Sequence, residues 1–162
     1  SRHAPELATR LYAEISFEPV PELVFPAAWQ PLRIANPDAP ANRHAMRLEI
    51  EGRRVLVTPV LVASRPRLLP GETFFHVMQP RLLELQPDAD GRASHAVMRG
   101  EEPAWHALDG PHDYLRRLGG NTGYVIHHEE AMADNVALLA TGAQARNPAL
   151  LARLRAVLEA AR

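Results

Sequence analysis

Apolar residues change their spacing twice along this chain. Leu7, Leu11 and Ile15 recur at i, i+4 and i+8 within PELATRLYAEI, residues 5–15. That spacing predicts a short amphipathic helix, with Pro5 suited to its first turn. Prolines at 19, 21, 26, 31, 37 and 40 then break any helical period, so an extended arm with turns is expected up to residue 41. Leu23, Phe25 and Trp29 are the candidate anchors of this arm, and NPDAP at 36–40 is a turn cluster.

From residue 46 the period falls to two. MRLEIE (46–51) alternates apolar and polar, Gly52 supplies a turn, and RRVLVTPVLVA (53–63) is rich in β-branched residues. Together they predict a β-hairpin, with Pro59 marking an edge or a bulge. A loop is expected at 64–72, then a strand in TFFHVMQPRLLEL (73–85) broken at Pro80. QPDADGR (86–92) forms a turn, and ASHAVMRG (93–100) returns as its partner, with weaker strand character at 104–108.

After Gly110 the helical period resumes. PHDYLRRLG (111–119) reads as a short helix, and a second is expected at 128–140. The clearest is 148–161, with Asn147 as N-cap, Pro148 at the first helical position and Leu151, Leu154 and Leu158 as its stripe. The predicted fold is α+β in a single domain, 1–162: one helix and a proline-rich arm (1–45), an antiparallel β meander (46–108), and a C-terminal group of three helices (111–162).

Composition narrows the function classes. The net charge is −1, with 46% hydrophobic and 23% charged residues, so no nucleic-acid or membrane-surface partner is expected. All 18 basic residues are arginine and there is no cysteine, which excludes disulfides, thiolate metal sites and thiol nucleophiles. No apolar run approaches the ~18 residues of a membrane span. A cytoplasmic protein is the default expectation, and the start at Ser1 suggests a piece of something longer.

Candidate chemistry concentrates in GNTGYVIHHEEAMADNVALLATG, residues 120–142. On a helix starting near 127, His127, Glu130 and Asp134 fall at i, i+3 and i+7, on one face. An imidazole with carboxylates suits zinc or another divalent ion, and a glutamate of the Glu129–Glu130 pair could act as general base. A further ligand would come from elsewhere: His76 and His95 as a pair facing across the 86–92 turn, or His106 or His112. The same residues also suit structural roles. Acidic groups stabilise a helix's first turn, His127 can cap it, and Asp134 and Asn135 can bond a neighbouring loop.

NTGYVIHHEEAMADNVALL (121–139) is similar to the pattern NTxYxIHPEExLADNFALL of bacterial zincin-like metallopeptidases of the gluzincin type. In that group a helix bearing Glu-x-x-x-Asp supplies the last zinc ligand, and the aspartate orients a ligating histidine. The resemblance implies Glu130 as metal ligand and Asp134 as its supporting carboxylate, with Asn121, Tyr124, His127 and Asn135 also matching. It covers about twenty residues. His128 stands where the pattern has proline, and the chain has no HExxH, the source of two ligands and the base in such peptidases.

Three functions follow as expectations. The first is a zincin-like metal-binding protein, a fragment or divergent member of a metallopeptidase family acting on a peptide or small molecule. Its metal ligands would be His127, Glu130 and His76, its catalytic carboxylates Glu129 and Glu130, and Asp134 and Asn135 would support them. The second is a non-enzymatic α+β binding or assembly domain with a structural capped helix at 127–140. The third is a metal-free acid–base enzyme using Glu130 with His127 or His76.

Overall fold

The amphipathic start of the chain becomes helix α1, His3–Ala13, in the computed structural model, which describes residues 3–35 and 41–161. The NPDAP cluster lies outside the described residues. Ile15 falls just past the helix, in a turn whose amides bond back to Leu11, Tyr12 and Ala13, yet it is fully buried. The arm that follows forms two short strands, β1 (Phe17–Pro19) and β2 (Leu23–Val24). A 3-10 turn at Ala27–Leu32 comes next. Its tight pitch accepts Pro31, and it buries Trp29.

The predicted hairpin is present as β3 (His44–Ile50) and β4 (Arg53–Ala63), paired from Ile50↔Arg53 to Met46↔Val57. Its two-residue turn has positive φ at both Glu51 (53°) and Gly52 (73°), the twist-compatible form for a tight hairpin. The next segment departs from expectation. Phe74–Val77 is one helical turn, α2, and a single strand β5 runs Met78–Pro87 straight through Pro80.

Ladder geometry explains both prolines. The Leu61 carbonyl accepts from Ile34 N, on the side of β4 away from β5. Leu61 pairs with Pro80 and Pro59 with Leu82, so both are non-hydrogen-bonded pairs that need no proline N–H. Pro59 also lies beyond the last β3–β4 pair, where that side of the strand is open to the arm.

The turn after β5 returns the chain as β6 (Ser94–Ala96), pairing Gln86 with His95. A small hairpin of β7 (Met98–Arg99) and β8 (Glu102–Pro103) follows, and β9 (Trp105–His106) adds to β5. Among the described residues the main sheet has seven strands in the order β1-β3-β4-β5-β6-β2, with β9 beside β5. It is mixed rather than purely antiparallel, because β2 of the arm runs parallel to β6.

Three helices close the chain: α3 (Tyr114–Arg117), α4 (His128–Thr141) and α5 (Pro148–Glu159). Strand alternation divides the core between two faces. Val55, Val57 and Leu82 meet the helices through Met132, Leu150 and Leu154. Val60, Val62 and Leu83 meet Leu23, Phe25 and Trp29 of the arm. Burying each such side chain contributes about 1.5–3 kcal/mol, so the proline-rich arm is a covering layer of the sheet. No described helix is long and apolar enough to cross a membrane.

Candidate functional site

Helix α4 begins where it does because His127 caps it. His127 is extended (φ −152°, ψ 135°), and its Nδ1 accepts from Glu129 N at 3.2 Å. Its carbonyl accepts the first helical bond, from Ala131 N at 3.1 Å. Glu129 and Glu130 occupy the first turn, where the helix dipole favours negative charge, and Gly142 ends the helix in the left-handed conformation (φ 66°). His128 takes the first helical position, which also suits proline.

The segment before the helix is tied to it. Thr122 Oγ1 donates to Asp134 at 2.5 Å, and Tyr124 N donates back to Thr122 Oγ1 at 3.0 Å. Asn121 donates to Asn135 Oδ1, and Asn135, fully buried, donates to Ala131 O at 2.8 Å. Asp134 thus supports the preceding loop rather than a histidine.

Around the helix start, aromatic and imidazole rings converge. The His128 ring lies 4.6 Å from His127, 4.5 Å from His44 and 4.6 Å from Tyr12, and stacks on Phe17 at 5.1 Å. His127 and His128 are buried, and the Nε2 of each has no hydrogen-bond partner. Burial, then the neighbouring imidazoles, holds His128 down to about 2. Burial also lowers His127, against the upward pull of Glu129 and Glu130. His44 is lowered by burial and then by His127. Tyr12 is raised by burial and then by the charge of Glu129. The three imidazoles are therefore neutral at neutral pH.

The other histidines are used locally. His76 sits on the α2 turn rather than on a strand; it is exposed, with Nδ1 bonded to Thr73 N at 3.0 Å in a reciprocal cap. His95 is on β6, but its partner is Asp88 at 3.1 Å, so the expected His76–His95 pair across the hairpin does not form. His106 Nε2 meets Glu84 at 2.6 Å, and His112 Nε2 meets the Ala107 carbonyl at 2.8 Å.

Fit to a divalent metal can be judged from these contacts. With Nδ1 accepting from Glu129 N, neutral His127 carries its proton on Nε2 and presents a donor, not a lone pair. Among the described residues no group of three or more His, Asp or Glu side chains stands where it could hold a metal ion. The donor set present does not complete a zinc site by itself.

Two residues of this cluster escaped the sequence reading, Tyr12 and His44. Tyr12 follows Leu11 on the apolar side of α1, and His44 opens β3, paired with Pro19. Neither lies near residue 128 in sequence, and only the closure of β1 and β3 against α4 brings them together.

A cavity of about 40 Å³ opens on the arm side of His127, with Phe25, Arg33, Asn42, Val60 and Ile126 also in its wall. Arg33 lies over the Phe25 ring, 4.9 Å from its centre. No protein-family model, no curated protein and no solved structure matches this chain.

Proposed function

We propose that this chain is a non-catalytic α+β binding domain, in which residues 119–147 brace the start of α4 against the sheet. One observation carries the reading: the polar groups of the zincin-like pattern are engaged with one another. Asn121 bonds Asn135, Thr122 bonds Asp134, and His127 caps Glu129 N. A bracing role uses all of these contacts. A catalytic role would need several of them for substrate or metal instead.

A second reading is favoured by a separate observation. Glu129 and Glu130 lie in the first turn of α4 beside three imidazoles, two of them with unpartnered Nε2 atoms. In a zincin-like centre, Glu130 would be the carboxylate ligand from this helix, with His127 or His76 and the catalytic base completed by groups not assembled here.

Metal content separates the two. Protein purified without added ions, then offered zinc, is expected to hold less than about a tenth of an equivalent and to show no rise in Tm, since a ligand of the folded state must stabilise it. Near-stoichiometric zinc that is lost in Glu130→Gln would overturn the binding-domain reading and establish the second.

A further inference from the structure

The connection between β4 and β5 turns its polarity inside out. Its base is closed by Ser64 N, which donates to Val77 O at 2.8 Å. Inside it, Glu72 accepts from the Arg65 guanidinium and from Leu69 N at 2.8 Å, and Glu72 N donates back to Leu69 O at 3.0 Å. Thr73 and His76 cap each other around α2. These polar groups meet one another, while the large apolar side chains face solvent. Leu68, Leu69, Phe74 and Phe75 are 49%, 58%, 46% and 67% exposed, and the two phenyl rings lie 3.9 Å apart. The other exposed large apolar side chains among the described residues stand singly along the chain, which is ordinary for a protein surface. The arm runs away from this loop, since Arg33 is bridged to Val62 and Ile34 N bonds to Leu61 O.

Size and charge narrow what covers such a tip. At ~200 Å² for each large side chain, the exposed parts of these four amount to on the order of 400 Å². A stable protein complex takes about 800 Å² from each partner and is anchored by Trp, Tyr and Arg, with Leu under-represented. A bilayer surface needs neither that area nor a complementary shape, and it takes up Leu and Phe beside basic groups. Glu72 is the one acidic residue of 64–77 and is paired with Arg65, so Arg67 leaves the loop with a net positive charge. The net charge of −1 for the whole chain hides this local balance.

We propose that the 64–77 loop is a membrane-surface anchor. Leu68, Leu69, Phe74 and Phe75 enter the headgroup–acyl boundary of an anionic bilayer, and Arg67 meets the lipid phosphates. The loop is braced before contact, so little ordering is lost on insertion. Binding is weak and reversible, as for a single acyl chain. The proposal names the partner of the binding domain and so rests on that reading. The two fail separately, because zinc uptake bears on the first and vesicle partition on the second.

The test is co-sedimentation of the protein with vesicles of phosphatidylcholine, with and without about 30% phosphatidylserine. Saturable partition, reversed by dilution and stronger on the anionic vesicles, is expected. Leu69→Ser combined with Phe75→Ser is expected to lower partition at least about tenfold. Both side chains are exposed, so the fold should stay intact by circular dichroism. Arg67→Gln is expected to lower partition about fivefold on the anionic vesicles and to leave the neutral ones unchanged. Phe75→Trp should add an emission component that moves to the blue on mixing with vesicles. The proposal is overturned by no partition at millimolar lipid, by no preference for the anionic vesicles, or by unchanged partition in the double serine variant. A dimer in solution that this variant dissociates, without partition into vesicles, would assign the loop to a protein contact and overturn it too.

Discussion

The side-chain amide of Asn121 donates to Oδ1 of Asn135 at 2.9 Å and so joins the loop before α4 to the buried face of that helix. The same amide reaches the Asn147 carbonyl at 3.1 Å, and Asn121 Oδ1 accepts from Asn147 N at 2.6 Å. Asn147 then caps α5 through Leu150 N at 3.1 Å. Two helices and a loop therefore share one chain of three asparagines. Removing Asn121 leaves the buried Asn135 Oδ1 without this donor, and removing Asn135 takes one of the two acceptors of the Asn121 amide; losing such a bond costs about 1–3 kcal/mol. Asn121→Ala and Asn135→Ala are each expected to lower stability by about that much in urea denaturation. The double variant should fall short of the sum by at least about 0.5 kcal/mol; strict additivity would show that the two side chains act independently.

Gly119 carries the other end of this brace. Its carbonyl accepts from Asn147 Nδ2 at 3.0 Å, and its φ of 92° lies in the region that favours glycine. A Cβ placed there would stand 2.4 Å from Leu150 Cδ2, and Leu150, in the first turn of α5, is fully buried. Gly119→Ala therefore combines backbone strain with a core clash. It is expected to destabilise by about 1–3 kcal/mol, whereas Gly120→Ala meets only the strain, because nothing lies within reach of its Cβ. Equal losses in the two variants would argue against the Leu150 contact.

His128 sets a pH dependence. Its folded-state value, held down to about 2, lies below the 6.5 of a free imidazole, so the unfolded chain takes up the proton first. Stability is complete above about pH 6.5 and declines as pH falls toward 2, with a slope of up to about 1.4 kcal/mol per pH unit from this group. His44 and His127, both lowered, add to the same slope. The groups facing His128 are His44, His127, Tyr12 and Phe17, so an aromatic replacement suits the site. His128→Phe is expected to keep the neutral-pH stability within about 1.5 kcal/mol and to flatten the acid limb. An unchanged limb would assign the proton uptake to other groups.

Local chemistry made much of this fold readable from sequence. Glu51-Gly52 between alternating strands and Asn147-Pro148 before a leucine stripe each specify their own geometry, and both appear as expected. The proline in β5 was misread because the cost of proline depends on which edge its missing N–H faces, and that is fixed by β4 and by the open edge at Pro80. His76 was misplaced because Thr73-Phe-Phe-His76 forms a capped turn, a signal masked by its apolar neighbours. At the candidate site, the shared face of α4 was readable from spacing. The partners were not: Thr122 for Asp134, Asn121 for Asn135, and Tyr12, His44 and Phe17 for His128 come from loop closure and sheet packing.

Glu84, two residues after Leu82 in β5 and paired with Val57, supplies a last and independent expectation. Its carboxylate is 3% exposed, and Oε1 alone receives His106 Nε2 at 2.6 Å, Arg53 at 3.2 Å and Arg99 at 3.3 Å. Its backbone joins two further segments, through Ala104 O and Val97 N, both at 2.9 Å. Burial by itself would raise this carboxyl, but the His106 hydrogen bond and the Arg53 charge outweigh it and hold the group below the ordinary carboxylate range. The unfolded chain therefore protonates first as pH falls. The contribution is complete above the ordinary carboxylate range and is lost as pH drops through and below it. Glu84→Gln keeps the shape but cannot accept three charge-assisted bonds on one oxygen, so it is expected to cost about 1–3 kcal/mol at pH 7. The effects of His44, His127 and His128 are common to both proteins and cancel in the difference, whereas His106 loses its charged partner with Glu84 and belongs to the contribution being measured. The gap between wild type and Glu84→Gln in urea midpoints should thus narrow as pH is lowered. A gap that stayed constant from pH 7 into the acid range would place the contribution of Glu84 in packing rather than in its charge.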